Sequence, residues 1–549
     1  MNAVLRRLFF SLLGFVFVAF GQNAWIGWLG PFSAAIGYAL FWRAILNWAS
    51  PMKRFALGLL WFTLIQAFQL SWMATTEYMG PLILVVYGLL ILALGVQFGL
   101  LSWLVASSRS LTILRCAGLA GLWVLFEWTR LHLCTGFSWN PAGLALTTTP
   151  FSLQMASLFG IFGLSFWVIF VNLTALRASF LRTFSSIAIW VSCAIIPYLF
   201  GAIQFFAVST ENRNLSALLV QTALLPEQRD YDSHQPDQFI DPVDQWDRLI
   251  GLIRNAKAPH VDLIVLPEGA VPYSAFQCVY PIFEVQRIWT KHFGSLSKKE
   301  FPLPEFPMAR LANFEGRAYW EVSNAFWVQA LANHYHCEVI VGMDDRDLSS
   351  GKHFNAAFHF SSDSKNVSRI EKRILVPVGE YVPFKHWHWF SQLVTDQFAV
   401  GDSFEPGKEA KVFFGRIPIG VSICYEETFS ELIRNLRTKD AQMFVNISND
   451  VWFPQSRLAK QHFDHGMVRA VENGLPLIRA CNTGVTCGVS CLGSVLARHP
   501  ENQPGALFLE VPLHTFPTLY SKLGDGAILI LSAFFALNLL KKGRGACWK

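Results

Sequence analysis

The chain has 549 residues, of which 53% are hydrophobic and only 15% are charged, and its mean hydropathy is +0.35. Soluble globular proteins carry about 25% charged residues, so a large part of this chain must be surrounded by something other than water. The formal net charge is +6 at pH 7, but most of the excess lies in short loops between apolar runs, where basic residues indicate membrane topology. The composition therefore disfavours both a wholly soluble protein and a nucleic-acid-binding protein.

Apolar segments that are long enough to cross a bilayer, at about 20 residues each, recur along the first 208 residues. The sequence predicts spans at 4–20, 26–46, 55–73, 81–105, 111–128, 157–176 and 185–206, and a weaker eighth span at 526–540. The first run resembles a signal peptide, with Arg6 and Arg7 before a short apolar core, but we interpret it as an uncleaved helix because six more spans follow. The prediction is a seven-span bundle over 1–208, and a last span with a short cytoplasmic tail over 523–549.

Basic residues in the loops predict the orientation of these spans. If the N-terminus is cytoplasmic, the inner loops and ends hold Arg6, Arg7, Arg43, Lys53, Arg54, Arg109, Arg115, Arg177, Arg182, Lys541, Lys542, Arg544 and Lys549. The outer loops of the bundle then hold only Arg130, as the positive-inside rule requires. An odd number of spans before residue 210 places the stretch 209–522 outside the cytoplasm.

The stretch 209–522 has the pattern of an α/β domain. Short apolar, β-rich segments recur at 215–223, 261–269, 337–345, 354–360, 417–427, 441–450 and 475–484. Several are continuous apolar runs, which is typical of strands that are buried on both faces. Helical patterns lie between them, at 319–336 and 428–437, so we expect layers of helix that cover sheet. Residues 276–315, rich in Pro, Phe and Lys, are interpreted as an irregular insertion.

Three strand ends carry reactive side chains. Glu268 follows the strand LIVLP, Lys372 precedes the string RILVPVGEYVPF, and Cys424 ends the strand IPIGVSI. A helix predicted to begin near Thr428 would favour the thiolate of Cys424. A carboxylate can take the thiol proton, and a lysine can stabilise the oxyanion of a tetrahedral intermediate. Taken singly, a glutamate after a strand is usually a surface charge and a lone cysteine is usually a small apolar residue.

The other cysteines predict little chemistry. The ten cysteines show no paired CxxC spacing and no nearby histidines in a zinc-binding pattern. Cys487 and Cys491 could form a disulfide in an oxidising compartment, although scattered buried thiols are the alternative. The sequence therefore predicts no metal site.

The strings around the three reactive residues resemble a known family. PEGAVP at 267–272, KRILVPVGEYVPF at 372–384 and ICYEETF at 423–429 resemble the three catalytic motifs of the nitrilase superfamily. The resemblance extends over nearly the whole chain to the apolipoprotein N-acyltransferases through FEWTRLHLCTGFSWNPAG (126–143), ISNDVWF (447–453), QHFDHGMVRAVENGLPLIRACNTGVT (461–486) and PTLYSKLGD (517–525). It implies an αββα sandwich domain outside the cytoplasm, next to a membrane helix bundle of about eight spans.

The resemblance also implies roles for individual residues. Glu268 is expected to be the general base, Lys372 the oxyanion stabiliser and Cys424 the nucleophile. The supporting residues that it implies are Glu380, Tyr425, Glu426, Asn355 and Asn449. Glu380 would position Lys372 and the thiol, and the amide of Tyr425 would complete the oxyanion hole. The two asparagines could equally be turn residues that close the sheet.

The reaction that the resemblance implies has two steps. Cys424 takes an acyl chain from a membrane phospholipid as a thioester, and the α-amino group of a diacylated apolipoprotein then accepts that chain. This is the last step of lipoprotein maturation, at the inner membrane of a bacterium with the catalytic domain on the periplasmic side. Neither a cofactor nor a metal is expected.

Five further residues are candidates for lipid contact. Glu127, Trp128 and Arg130 lie at the outer end of the fifth predicted span, and Trp387 and Trp389 lie in the aromatic string FKHWHWF. A structural ion pair and an ordinary aromatic loop are the respective alternatives.

Two other functions stay open at this stage. A membrane-tethered amidase would use the same triad with water as the acceptor. A transporter or receptor with a degenerate domain would have no reason to keep all three reactive residues.

Overall fold

The computed structural model describes residues 3–107, 111–133, 136–208, 213–230, 236–294, 301–347, 350–362, 364–383, 387–389, 391–392, 395 and 403–539. Arg109, Lys541, Lys542, Arg544 and Lys549, which support the predicted orientation, lie outside these residues. Contacts divide the chain into a helical unit and an α/β unit. The helical unit comprises Met1–Ser209, Phe453–Gly474 and Phe516–Lys549, and the α/β unit comprises Thr210–Trp452 and Leu475–Thr515. The predicted domain boundaries at residues 208 and 522 stay predictions. The segment 453–474, which lies inside the predicted catalytic domain, belongs to the helical unit by its contacts.

The helical unit consists mainly of long apolar helices. Its longer helices are Ala3–Phe20, Tyr38–Ile45, Pro51–Gln69, Ile83–Ser107, Ile113–Thr129, Ala156–Leu181, Phe184–Ala207, Leu458–Asn473 and Leu519–Leu537. Short helical turns lie at Gly27–Leu29, Gly30–Phe32, Ser33–Gly37, Ser71–Met73, Arg130–His132, Ala142–Leu146 and Pro150–Leu153.

Membrane-spanning helices are part of this unit. Among the described residues, 5 helices are long and apolar enough to cross a membrane, namely Ala3–Phe20, Ile83–Val105, Ala156–Leu181, Phe184–Ala207 and Leu519–Leu537. Helical structure is present at each of the eight predicted positions, but the count of eight spans stays a prediction.

Polar side chains stabilise two irregular points among these helices. Asn172 accepts hydrogen bonds from the amides of Tyr38 and Ala39 and donates to the carbonyl of Ser33, so it satisfies the backbone around the π-helical turn Ser33–Gly37. Glu472 accepts a 2.7 Å bond from the amide of Ile161, just after the helix is interrupted at Gly160. The amide of Ile161 has no acceptor within the helix at this interruption, and the buried carboxylate of Glu472 accepts its hydrogen bond instead.

The α/β unit contains the strands predicted from the apolar runs. In chain order they are β1 Asn214–Gln221, β2 Leu263–Val265, β3 Tyr280–Pro281, β4 Ala309–Phe314, β5 Arg317–Val322, β6 Glu338–Arg346, β7 His353–Ser361, β8 Ser364–Glu371, β9 Val412–Phe414, β10 Pro418–Ile423, β11 Met443–Ser448, β12 Leu477–Cys481, β13 Cys487–Val489, β14 Val495–Arg498 and β15 Gly505–Pro512. The helices are Pro226–Arg229, Pro242–Asn255, Ile282–Phe293, Asn324–Tyr335 and Ser430–Arg437, with short turns at Pro236–Gln238 and Cys424–Thr428.

Two six-stranded sheets form the centre of this unit. Their strand orders are β15-β1-β2-β6-β7-β8 and β14-β13-β12-β11-β10-β9. A buried apolar core that includes Leu219, Val265 and Ile340 from the first sheet and Val421 and Val445 from the second joins the facing sides of the two sheets. Strands β1, β2 and β6 are parallel to one another, as are β10, β11 and β12, so their carboxyl ends meet at one edge of each sheet.

Helices cover the outer faces of the two sheets. Pro242–Asn255, Ile282–Phe293 and Asn324–Tyr335 share a core with the first sheet, in which Trp246 stacks on Trp327 at 5.2 Å. Leu436 of the helix Ser430–Arg437 packs at Gly420 of β10, on the second sheet. The predicted αββα sandwich is confirmed.

Two local predictions were wrong. The insertion 276–315 is not irregular where the structure describes it, because it contains the helix Ile282–Phe293 and strands β3 and β4, which pair with β5. The helix predicted at 319–336 begins only at Asn324, and the residues before it belong to β5. Short apolar stretches such as YWEV fit either element, and pairing with β4 decides in favour of strand.

Candidate active site

Glu268 lies just beyond the carboxyl end of β2, beside β6. The amide of Leu266 donates to Ile340, and the amide of Gly342 donates to Pro267. A Cβ at position 342 would approach the Cα of Glu268 to 2.6 Å, so glycine is needed there for the two chains to lie this close. The backbone therefore fixes the place of Glu268, whose side chain is 11% exposed.

Lys372 follows β8 directly and points its ammonium at two carboxylates. Its Nζ lies 3.0 Å from Oε1 of Glu268 and 2.8 Å from Oε1 of Glu380, and its side chain is only 1% exposed. Its backbone amide donates to the carbonyl of Asn355 at 2.8 Å. Burial lowers the pKa of Lys372, but Glu268, Glu380 and Cys424 raise it well above its usual range, so the side chain stays an ammonium.

Asn355 and Glu380 complete this cluster. The Asn355 amide donates to Oε1 of Glu268 at 2.7 Å and to Oε1 of Glu380 at 2.9 Å. The second oxygen of Glu380 accepts from the amide of Val376 at 2.7 Å. Asn355 and Lys372 are thus both bonded to the same two carboxylate oxygens, which holds the four side chains in one arrangement.

Cys424 occupies a strained turn at the carboxyl end of β10. Its φ is +52°, in the left-handed region that side chains other than glycine rarely adopt. A 3-10 turn covers Cys424–Thr428, and the α-helix begins only at Ser430. The sharp turn leaves the thiol half-buried at the end of the strand.

The surroundings of Cys424 favour the thiol and not the thiolate. Burial raises the pKa of Cys424, and the negative charges of Glu268 and then Asp450 add to the increase. Lys372 and a hydrogen bond from Ser448 oppose it. The helix expected near Thr428 begins at Ser430, and the net effect of these groups on the pKa of Cys424 is opposite to the expected stabilisation of the thiolate.

Glu426 ties the turn at Cys424 to the segment after Lys372. One of its carboxylate oxygens accepts from the amide of Arg373 at 2.6 Å, and the other accepts from the amide of Ile423 at 2.9 Å. Glu426 is only 2% exposed, and burial raises its pKa. The buried carboxylate of Glu426 therefore joins the turn at Cys424 to the segment that follows Lys372.

The remaining supporting residues lie at the edge of the second sheet. The ring of Tyr425 packs edge-on against Phe429 at 5.0 Å, and its carbonyl accepts from the hydroxyl of Thr428. Asn449 accepts from the side chain of Asn482 at 2.9 Å and from the amide of Val451 at 3.3 Å. These bonds fit the turn-closing role of an asparagine, which was the alternative for Asn449.

The candidate lipid-contact residues fall into two groups. In the helical unit, Glu127 is 3% and Arg130 is 5% exposed, and Trp128 packs against His132. Glu127 accepts from the indole of Trp123 at 2.8 Å, and Arg130 donates to Gln97 at 2.7 Å.

In the α/β unit, Trp387 and Trp389 are 57% and 70% exposed, while Phe384, Lys385, His386 and Phe390 of the same string lie outside the described residues. Lipid contact by either group stays a prediction.

Several buried polar residues near Cys424 were missed in the sequence. Ser448 and Asp450 follow the apolar run of β11, and Arg479 of β12 lies 3.3 Å from Glu427 with both side chains at most 1% exposed. The sequence carried a signal for Arg479, because an arginine is unusual inside a buried strand. Cys487 and Cys491 are both free buried thiols.

Two family models match the chain. The model described as "Carbon-nitrogen hydrolase" matches residues 233–518, and the model described as "Apolipoprotein N-acyltransferase N-terminal domain" matches residues 14–174. The fold, the cysteine turn and these matches define a membrane protein with a nitrilase-type domain, of the acyltransferase class.

Similar whole-length sequences identify the family more closely. The chain is 30% identical to the apolipoprotein N-acyltransferase of Chlamydia caviae over 98% of this chain and 99% of that protein. It is 32% identical to the apolipoprotein N-acyltransferase of Chlamydia pneumoniae over 98% of this chain and 97% of that protein. A solved structure of the nitrilase-superfamily protein Nit3 from Saccharomyces cerevisiae aligns at 18% identity over 61% of this chain and 97% of that chain, with a TM-score of 0.35. The chain belongs to the apolipoprotein N-acyltransferase family.

Proposed function

We propose that this protein transfers an acyl chain from a membrane phospholipid to the α-amino group of a diacylglyceryl-cysteine at the N-terminus of an apolipoprotein, through a thioester on Cys424. The observation that carries the proposal is the buried cluster of Glu268, Lys372 and Glu380, placed within electrostatic reach of a cysteine at a strained turn. Relatives named apolipoprotein N-acyltransferase over nearly the full chain support the choice of substrates.

In the first half-reaction, Glu268 takes the proton of the Cys424 thiol, and the sulfur attacks the ester carbonyl of the phospholipid. The ammonium of Lys372 and the amide of Tyr425 stabilise the oxyanion of the tetrahedral intermediate. The intermediate collapses to a thioester, and the lysophospholipid leaves with the proton that Glu268 held. Glu268 is then ionised again for the second half.

In the second half-reaction, the α-amine of the apolipoprotein attacks the thioester carbonyl. Glu268 takes a proton from the attacking nitrogen and returns it to the sulfur of Cys424, which restores the thiol. The products are an amide and the free enzyme, so the kinetics are ping-pong. Two lipid substrates that stay in a bilayer fit a catalytic domain that is joined to membrane helices.

An amidase would use the same residues and would differ only in the acceptor. A transferase must keep water from its thioester until the second substrate arrives. We place the reaction at the inner membrane of a bacterium, with the α/β unit on the periplasmic side, because of the asymmetry of basic residues in the loops.

Intact-mass analysis of the purified full chain tests the proposal. With phospholipid alone, an acyl adduct on Cys424 should accumulate with little free fatty acid. A diacylated lipopeptide with a free α-amine should discharge the adduct and yield a triacylated product. The matched control is the same lipopeptide with an acetylated α-amine, which keeps the lipid anchor and should leave the adduct in place. Steady fatty-acid release that the lipopeptide does not change would establish the hydrolase instead.

A further inference from the structure

Ser448 lies beside the proposed nucleophile at the end of the neighbouring strand. Strands β10 and β11 are parallel, and their register pairs Ile423 with Ile447, so Cys424 and Ser448 are each one residue beyond that last pair. Ser448 is 0% exposed, and its side chain interacts with the Cys424 thiol so as to lower the pKa of that thiol. The strand register and this interaction therefore place a buried hydroxyl beside the sulfur of Cys424.

The same hydroxyl is also bonded to a buried carboxylate. Ser448 Oγ donates to Oδ1 of Asp450 at 3.3 Å, and Asp450 is only 7% exposed. The amide of Asp450 donates to the carbonyl of Thr483 at 3.4 Å. A Cβ at position 484 would lie 2.5 Å from Oδ2 of Asp450, so the absence of a side chain at Gly484 makes room for this carboxylate.

A buried guanidinium, that of Arg479, also interacts electrostatically with Asp450. Burial lowers the pKa of Arg479, but Glu427, and to a smaller degree Cys481, Cys487 and Asp450, raise it above the usual value. Arg479 and Glu427 are 3.3 Å apart. Charged side chains of both signs are thus buried in this network.

A serine hydroxyl has one hydrogen, so it cannot donate to both partners at once. While Cys424 is a thiol, the thiol can donate to Ser448 Oγ and Ser448 can donate to Asp450. When Cys424 is a thiolate, the sulfur can only accept, and the Ser448 hydroxyl is a hydrogen-bond donor beside it, in addition to the nearby charge of Lys372. Asp450 has the opposite effect to Ser448 on the pKa of Cys424. It raises that pKa, because its negative charge disfavours a second negative charge on the sulfur.

We propose that Ser448 is a further catalytic residue whose hydroxyl turns from Asp450 to the Cys424 sulfur when Glu268 removes the thiol proton, and that Asp450 is a positioning residue for that hydroxyl. The thiol proton passes to the Glu268 carboxylate, while the Ser448 hydrogen stays on Oγ and only its acceptor changes. As sulfur forms the thioester it loses its negative charge, and the hydroxyl returns to Asp450. The proposal rests on the proposed function, because it takes Cys424 as the nucleophile.

The rate at which iodoacetamide labels Cys424 in the purified full chain tests this inference without an acyl-transfer assay. Mass spectrometry of the Cys424 peptide, with Cys424→Ala as the blank, gives the rate between about pH 6 and pH 10. When the pKa of the thiol rises by one unit, the thiolate fraction falls about tenfold, while the nucleophilicity of the thiolate increases about threefold. The labelling rate therefore falls by about threefold for each unit by which the pKa rises, and increases by about threefold for each unit by which it falls. Ser448→Ala should therefore label about threefold more slowly at neutral pH, and Asp450→Asn about threefold faster.

Two further variants separate this inference from a structural effect. Ser323→Ala removes another fully buried serine hydroxyl of the same unit and should label like the wild type. Ser448→Thr keeps the hydroxyl and should restore the wild-type rate. Equal rates in Ser448→Ala, Asp450→Asn and the wild type, or shifts of both variants in the same direction, would overturn the inference. If Cys424→Ala abolishes transfer while these rates are equal, only the inference fails, whereas transfer by Cys424→Ala would remove the proposed function itself.

Discussion

Glu380 Oε1 lies 2.8 Å from Lys372 Nζ, so the ammonium of Lys372 is held by a carboxylate other than that of the proposed base. Glu268 Oε1 is 3.0 Å from the same nitrogen. Both carboxylates bind the ammonium of Lys372. If Glu268 is protonated during the proposed reaction, Lys372 therefore keeps Glu380 as a carboxylate partner.

Replacing Glu380 by glutamine should therefore reduce acyl transfer while the protein remains folded. The amide cannot accept from Lys372, Asn355 and Val376 with the full charge of a carboxylate, and hydrogen bonds to charged groups typically account for about a tenfold to hundredfold change. We expect a loss of that size in kcat/KM. Glu405→Gln, in an exposed pair with Lys352 at 3.8 Å, is the matched control and should be near wild type. Equal activities of the two variants would contradict a positioning role for Glu380.

The three proposed catalytic residues should each be required. Cys424→Ala, Glu268→Gln and Lys372→Ala are expected to reduce acyl transfer to near background in detergent-solubilised, correctly folded protein. Removing the nucleophile abolishes the covalent route, and losing an oxyanion donor alone typically costs roughly 10²–10³ in rate. Near-normal turnover of the purified Cys424→Ala protein would falsify the assignment.

The pH dependence of Cys424 labelling follows from its surroundings. Because burial and Glu268 raise the pKa of Cys424, the thiolate should be scarce at neutral pH, and the labelling rate should rise about tenfold per pH unit beyond pH 8. Glu268→Gln removes a negative neighbour, which makes the thiolate easier to form, so labelling should increase at a given pH although acyl transfer is lost. A labelling rate that is already constant below pH 7 would indicate a thiolate at rest and contradict this prediction.

The orientation in the membrane can be measured with fusions to a reporter that is active only outside the cytoplasm. The asymmetry of basic residues predicts an active reporter after residue 210 and a silent one after residue 549. Both fusions should be made at matched expression levels. The reverse pattern would place the candidate active site in the cytoplasm and exclude the lipoprotein reaction.

Close helix packing makes Gly201 a sensitive position in the helical unit. A Cβ there would lie 1.7 Å from the carbonyl oxygen of Phe151, whereas a Cβ at Gly88 would have nothing within 4 Å. Gly201→Ala should therefore lower the thermal midpoint of the detergent-solubilised protein by several degrees, since overpacking costs about 1–3 kcal/mol. Gly88→Ala, the control in another long helix, should leave it unchanged or raise it slightly. Equal midpoints would show that the helices can move apart at Phe151 without cost.

The sequence by itself determined the features that depend on neighbouring residues. Apolar runs of the right length predicted the long helices, and continuous apolar segments predicted the strands that are buried on both faces, because both signals repeat within one element. The order of Glu268, Lys372 and Cys424 at strand ends also followed from local motifs. The alternation between helix and strand around 319–336 did not, because a short apolar stretch fits both elements and only pairing with β4 chooses between them.

Tertiary structure decided the chemistry of the site, because it brings together residues that are distant in the chain. Lys372 and Glu268 are 104 residues apart in sequence, yet their side chains are hydrogen-bonded. The pKa of Cys424 is set by burial and by the net effect of surrounding charges, and no local pattern contains that balance. From its position in the sequence, the helix Leu458–Asn473 was assigned to the α/β domain. In the structure it belongs to the helical unit, where buried polar side chains such as Glu472 form hydrogen bonds with the apolar helices.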